Sequence, residues 1–63
     1  MTEAPKYYVE LDYDERAWNV MVITYDKNTY DKYVHQFVAD FSDRNIAEAT
    51  AACMNDVVKR CFK

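Results

Sequence analysis

From Tyr7 to Asp14 the chain alternates without interruption. Tyr7, Val9, Leu11 and Tyr13 fall on one side of an extended backbone, and Tyr8, Glu10, Asp12 and Asp14 on the other. Successive strand side chains point to opposite faces, so this period of two predicts a half-buried strand from about Lys6 to Asp14. The polar interruption Asp14-Glu15-Arg16-Ala17 has turn length, and Trp18 to Tyr25 follows as a second strand rich in β-branched and aromatic residues. That run is apolar on both sides, with Trp18, Val20 and Val22 set against Met21, Ile23 and Tyr25. Its own alternation does not choose the core face. A strand of this kind sits centrally in a sheet whose second face is also covered, by another copy or by a target.

Asp26-Lys27-Asn28-Thr29 predicts a second turn, and in a chain without glycine Asn28 is the natural occupant of a left-handed position. Residues 30–41 carry two patterns at once. Tyr30, Tyr33, Val34, Phe37, Val38 and Phe41 recur at helical spacing. Read as a strand, the same stretch sets Tyr33, His35, Phe37, Ala39 and Phe41 against Val34, Gln36, Val38 and Asp40. The helical period is the closer match, but the aromatic and valine content and the short preceding turn favour a strand. A lone hairpin is also marginal without a third strand or a packed helix. The expectation is therefore a third strand from roughly Lys32 to Phe41, with ββαα as the alternative.

Ser42 and Asp43 open the clearest helix, since either side chain can accept from the orphan amides of the first turn. Lys59, Arg60 and Lys63 crowd its far end, where the helix dipole favours cations. Ile46, Ala49, Cys53, Met54, Val57, Val58 and Cys61 form a wide apolar arc, and Glu48, Asn55, Asp56 and Lys59 a wet side. Alanines at 47, 49, 51 and 52 allow close approach to a sheet carrying large aromatics, with Tyr7, Tyr13, Phe37 and Phe41 expected beneath the helix. The fold class is α+β: a three-stranded antiparallel β-meander followed by one C-terminal α-helix packed on one face (βββα), a single small domain over residues 1–63.

Size changes this picture. A chain of about 60 residues buries only roughly 60% of its unfolded surface, and small domains lean on disulfides, a metal or a partner subunit. Cys53 and Cys61 lie on one predicted helix about 12 Å apart along its axis, beyond the ~7 Å Cα limit for a bridge. They read as buried, reduced thiols of a cytoplasmic protein. His35 is the sole histidine, and neither a CxxC nor a HxxxH spacing occurs, so no metal is expected. Self-association remains, and a homodimer is the expected state. The acidic start Met1-Thr2-Glu3-Ala4-Pro5 and the short aliphatic run Val20 to Ile23 offer no secretion or membrane signal.

With 11 acidic and 8 basic residues the chain carries a formal charge of −3, which disfavours nucleic acid as a partner. The absence of glycine excludes a phosphate-cradling loop or dinucleotide fingerprint. His35 lacks a neighbouring nucleophile and orienting group, and Cys61 sits at a helix C-terminus, where the dipole opposes a thiolate. No catalytic residue and no cofactor is expected. Six tyrosines and one tryptophan in 63 residues are the richer signal, because these types dominate interface hot spots. The candidate partner-binding residues are Tyr8, Trp18, Tyr25 and Tyr30, with the carboxylate row Glu10, Asp12 and Asp14 spaced at ~6.8 Å along strand one. The expected function is a non-enzymatic protein-binding module, an inhibitor or small regulator, using an exposed aromatic and acidic sheet face against a basic protein surface. Its compactness and acidity would suit a virus-encoded protein that blocks a host protein. The alternative is RNA or single-stranded DNA binding by aromatic stacking on the sheet.

Overall fold

A computed structural model describes residues 4–14, 16–26 and 32–61. Three strands, β1 (Lys6–Asp12), β2 (Ala17–Asp26) and β3 (Lys32–Phe41), form an antiparallel sheet in the order β1-β2-β3, followed by one helix, α1 (Arg44–Cys61). The result is a βββα meander of two layers, only 10 Å through its thinnest Cα dimension. β3 occupies the expected segment. β1 stops two residues early, because Asp12 Oδ1 accepts the Asp14 N–H at 3.1 Å and the chain then turns through Arg16 at φ 51°. That left-handed residue costs an arginine roughly 1–2 kcal/mol that glycine would not incur. Tyr13 falls in this turn, 82% exposed, and not under the helix. Asn28 and Tyr30 lie outside the described residues.

Register assigns the faces. Leu11–Trp18–Phe41, Val9–Val20–Ala39 and Tyr7–Val22–Gln36 are rows on the helix side. Glu10–Asn19–Asp40, Tyr8–Met21–Phe37 and Lys6–Ile23–His35 are rows on the other. The pairing slips between Val20 and Met21, leaving Val38 as the extra residue of a β-bulge. A bulge switches the face of everything beyond it. Ala39 and Phe41 therefore point to α1, while Tyr33, His35 and Phe37 point away, and Phe37 is 60% exposed instead of packed beneath the helix.

The helix starts where expected: Asp43 Oδ1 accepts the Asn45 N–H at 2.7 Å and the Asp43 carbonyl accepts the Ala47 N–H at 3.2 Å. Lys59 and Arg60 close it. Its rotation differs from the expected one. Ala47 and Ala51 are the residues buried against Val20, with Tyr7, Val9, Trp18 and Phe41 packed around them. Small side chains let the helix axis come close to a sheet whose own side chains fill the gap. The larger arc residues Ile46 and Val57 are consequently about half exposed, and both Cys53 and Cys61 are exposed free thiols, contrary to their expected burial.

Asn55, placed by its polarity on the wet side, is instead a structural clamp. Its Oδ1 accepts the Tyr7 N–H at 2.7 Å and its Nδ2 donates to the Tyr7 carbonyl at 2.9 Å. The carboxamide thus takes the position a further strand would have beside β1.

Candidate functional site

Among the described residues, no second layer covers the face of the sheet away from α1. Across it run Tyr8, Met21 and Phe37, then Ile23 and His35, then Tyr25 and Tyr33. These positions meet because β2 is apolar on both sides and the bulge at Val38 turns the aromatic half of β3 outward. Tyr8 Oη and His35 Nδ1 are hydrogen-bonded at 2.7 Å across the sheet, and their rings meet edge to face at 5.9 Å. Tyr25 and Tyr33 pair at 5.3 Å with their rings tilted by 59°. Both geometries are favourable for aromatic pairs, which gain about 0.5–1.5 kcal/mol beyond their area burial.

Acid gathers at one end. The Glu10–Asn19–Asp40 row brings two carboxylates of different strands onto this face beside the aromatic band. Partial burial, and secondarily the Glu10 charge, raise the Tyr8 phenol above its ordinary range. The hydroxyl accordingly keeps its proton, and it donates to His35 Nδ1 when the imidazole proton sits on Nε2.

The candidate residues distribute unevenly over this arrangement. Tyr8, Glu10 and Tyr25 share the open face. Asp12 has the same orientation at the strand's end, but its carboxylate is engaged by the Asp14 amide. Asp14 has left the strand for the turn and is exposed there, so the carboxylates at 10, 12 and 14 do not form one straight row. Trp18 is a correction: it belongs to the roofed face, packed against the Val20 cluster, with the Arg44 guanidinium 5.2 Å from its ring centroid. Even register with Val20 and Val22 put it there. Tyr30 lies outside the described residues.

Sequence reasoning missed Tyr33, His35, Phe37 and Asp40 as members of this surface. Nothing in the period of residues 30–41 marks the bulge. The partner strand does carry a signal, because Met21 and Ile23 need cross-strand neighbours on their own side.

Elsewhere, among the described residues, a larger and a smaller hollow lie beside the C-terminal half of α1. The larger, about 480 Å³, is lined by Ala4, Pro5, Lys6, Asn55, Val58 and Lys59, and the smaller, about 210 Å³, by Tyr7, Cys53, Met54, Val57 and Val58. Neither brings a base to a nucleophile. Among the described residues no group of three or more His, Cys, Asp or Glu side chains could hold a metal ion, and no helix is long and apolar enough to cross a membrane. No protein-family model, curated protein or solved structure matches the chain.

Proposed function

We propose that this chain is a non-enzymatic protein-binding module, an inhibitor or small regulator, that docks its open sheet face on a basic partner surface. One observation carries the reading: the aromatic band from Tyr8 and Phe37 to Tyr25 and Tyr33 lies on the face opposite α1, with Glu10 and Asp40 at its end. Tyrosines present large contact area with few rotatable bonds, so ordering them on binding costs little. The carboxylates steer a cationic partner and fix its orientation. Nucleic acid fits this face poorly, because Glu10 and Asp40 stand where a phosphate backbone would have to run beside stacked bases. Free thiols at Cys53 and Cys61 suit a reducing cytoplasm. A homodimer suits so small a core.

The test is affinity capture from lysate with four proteins: wild type, Tyr8→Ala/Tyr25→Ala, Glu10→Lys/Asp40→Lys, and Val57→Ser as the control. The expected result is a partner retained by wild type and lost by both double variants, with retention by wild type weakening as salt rises. Val57→Ser, altered on the outer side of α1, should retain it. A partner held equally by all four proteins would remove the open face from the function.

A further inference from the structure

We infer that the acidic end of the open face is a socket for one arginine side chain of the partner protein, with the guanidinium held between Glu10 and Asp40 above Asn19 and its stem laid over Tyr8 and Phe37. The inference rests on the protein-binding reading and deepens it, because it replaces a basic surface in general by one recognised group.

Register brings the parts together. Glu10, Asn19 and Asp40 form one row across three strands, and Tyr8, Met21 and Phe37 form the next row on the same face. Glu10 and Tyr8 share it by ordinary alternation along β1. Asp40 and Phe37 do not: three residues apart, they would fall on opposite faces of a regular strand. The bulge at Val38 sets them on one face. Two carboxylates from the two outer strands thus border one aromatic row, and the irregularity of β3 is what completes the arrangement.

Charge gives the sign of the occupant. Glu10 and Asp40 are exposed, and among the described residues neither forms an ion pair. Two of the chain's own arginines are engaged elsewhere: Arg60 bonds Asp56 at 2.9 Å, and Arg44 lies over Trp18 on the roofed face. The Glu10 charge is felt at the Tyr8 phenol. A cation beside Glu10 therefore lies within electrostatic reach of the aromatic row.

Dimensions favour arginine over lysine. Neighbouring strands lie about 4.8 Å apart, which sets the backbones of Glu10 and Asp40 about 10 Å from each other with Asn19 midway. Side chains leaning inward from both sides leave a gap suited to a planar guanidinium, which has N–H groups on both flanks for the carboxylates and more for the Asn19 carboxamide oxygen. An ammonium is a compact point charge and engages one carboxylate at a time. The step from the acidic row to the aromatic row is about 6.8 Å along the strands. Over that step an arginine's methylenes can pack on Tyr8 and Phe37 while the charged head stays among the acids. Guanidinium also stacks on aromatic faces.

The test follows the amide resonances of the isotope-labelled protein during titration with acetyl-Ala-Arg-Ala-amide or acetyl-Ala-Lys-Ala-amide. The arginine peptide should saturably shift the Asn19 side-chain amide and the backbone amides of Glu10 and Asp40, and the lysine peptide should bind roughly threefold or more weakly. Glu10→Gln and Asp40→Asn, both at exposed positions, should each weaken the arginine peptide by about threefold to fivefold. Asp56→Asn, on α1, should leave it unchanged. Equal affinity for the two peptides, shifts no larger here than around Asp56, or no saturation at all would overturn the inference. So would shifts of the same amides on dilution of the wild-type protein alone, since a second copy would then be the occupant. A lysate partner lost by Tyr8→Ala/Tyr25→Ala but kept by Glu10→Gln/Asp40→Asn would also remove the arginine socket while leaving the protein-binding reading in place. Failure of that broader reading looks different, because there the partner is held equally by wild type and by every variant used for capture.

Discussion

β1 and β3 are both edge strands of one sheet, and they are finished in different ways. Beside β1 the Asn55 carboxamide meets the backbone of Tyr7 at 2.7 and 2.9 Å, and α1 covers Tyr7 and Val9. Along β3 the bulge at Val38 turns Tyr33, His35 and Phe37 to the face that α1 does not reach, and most of the strand is exposed. The helix is therefore not centred on the sheet in effect: it completes one half and leaves the other as surface. In a domain whose buried cluster consists of Val20, Ala47 and Ala51, stability is concentrated on the closed half. The open half is free to be selected for contact.

The sharpest way to break this contrast is to place the same charge in both halves. Val20 is fully buried between the alanines of α1, whereas Phe37 is 60% exposed. Val20→Asp strands an unpaired carboxylate in the core, which belongs to the class of substitution costing above about 4 kcal/mol. No cooperative thermal unfolding should remain by circular dichroism. Phe37→Asp should change stability by only about 0.5 kcal/mol. Equal losses at the two positions would mean that the open face is part of the core.

A smaller effect tests how the helix sits. Ala51→Leu forces extra methylenes between α1 and β2 and should cost about 1–3 kcal/mol in urea titrations. Val57→Lys, on the outer side of the same helix, should stay within about 0.5 kcal/mol. The Asn55 clamp comes next. Asn55→Ala removes both bonds to Tyr7 and should cost about 1–2 kcal/mol, with faster hydrogen exchange at the Tyr7 amide and little change in β3. Uniformly faster exchange would show that the two edges are not independent.

These residues also mark where the sequence could be read and where it could not. The alternation from Tyr7 onward is legible because one face of β1 is wet, and α1 is legible because Asp43 caps it while Lys59 and Arg60 close it. β3 was legible in extent and not in orientation. Its bulge merges the period of two with spacings of three and four, so Phe37 and Phe41 look like neighbours although they lie on opposite faces. The rotation of α1 was hidden for a different reason. Hydrophobicity ranks Ile46 and Val57 above Ala47 and Ala51, but the sheet supplies its own bulk through Tyr7, Trp18 and Phe41 and selects the helix face that can come closest. Asn55 faces inward for the sake of two backbone groups, a role that no pattern of apolar positions can announce. Half of the candidate site followed from the same logic: Tyr8, Glu10 and Tyr25 were placed by β1 and β2, and Tyr33, His35 and Phe37 were concealed by the bulge.

The smallest expected effect lies on the open face and appears only in alkali. Burial and the neighbouring Glu10 charge raise the Tyr8 phenol above its ordinary value, about 10 in unfolded chains. The folded state therefore holds this proton more tightly than the unfolded state does. The resulting stabilisation is complete below about pH 10 and is lost as pH rises through the folded-state value, because the unfolded chain ionises first. In an ultraviolet titration of the folded protein, one tyrosine should ionise later than an unperturbed phenol, and Tyr8→Phe should delete that late phase. The same substitution removes the 2.7 Å bond to His35, which on this exposed face should cost no more than about 0.5 kcal/mol at neutral pH. A larger neutral-pH loss, or a titration that Tyr8→Phe leaves unchanged, would mean that Tyr8 belongs to the closed half, and the division between a stabilising and a contacting side of the sheet would have to be redrawn around it.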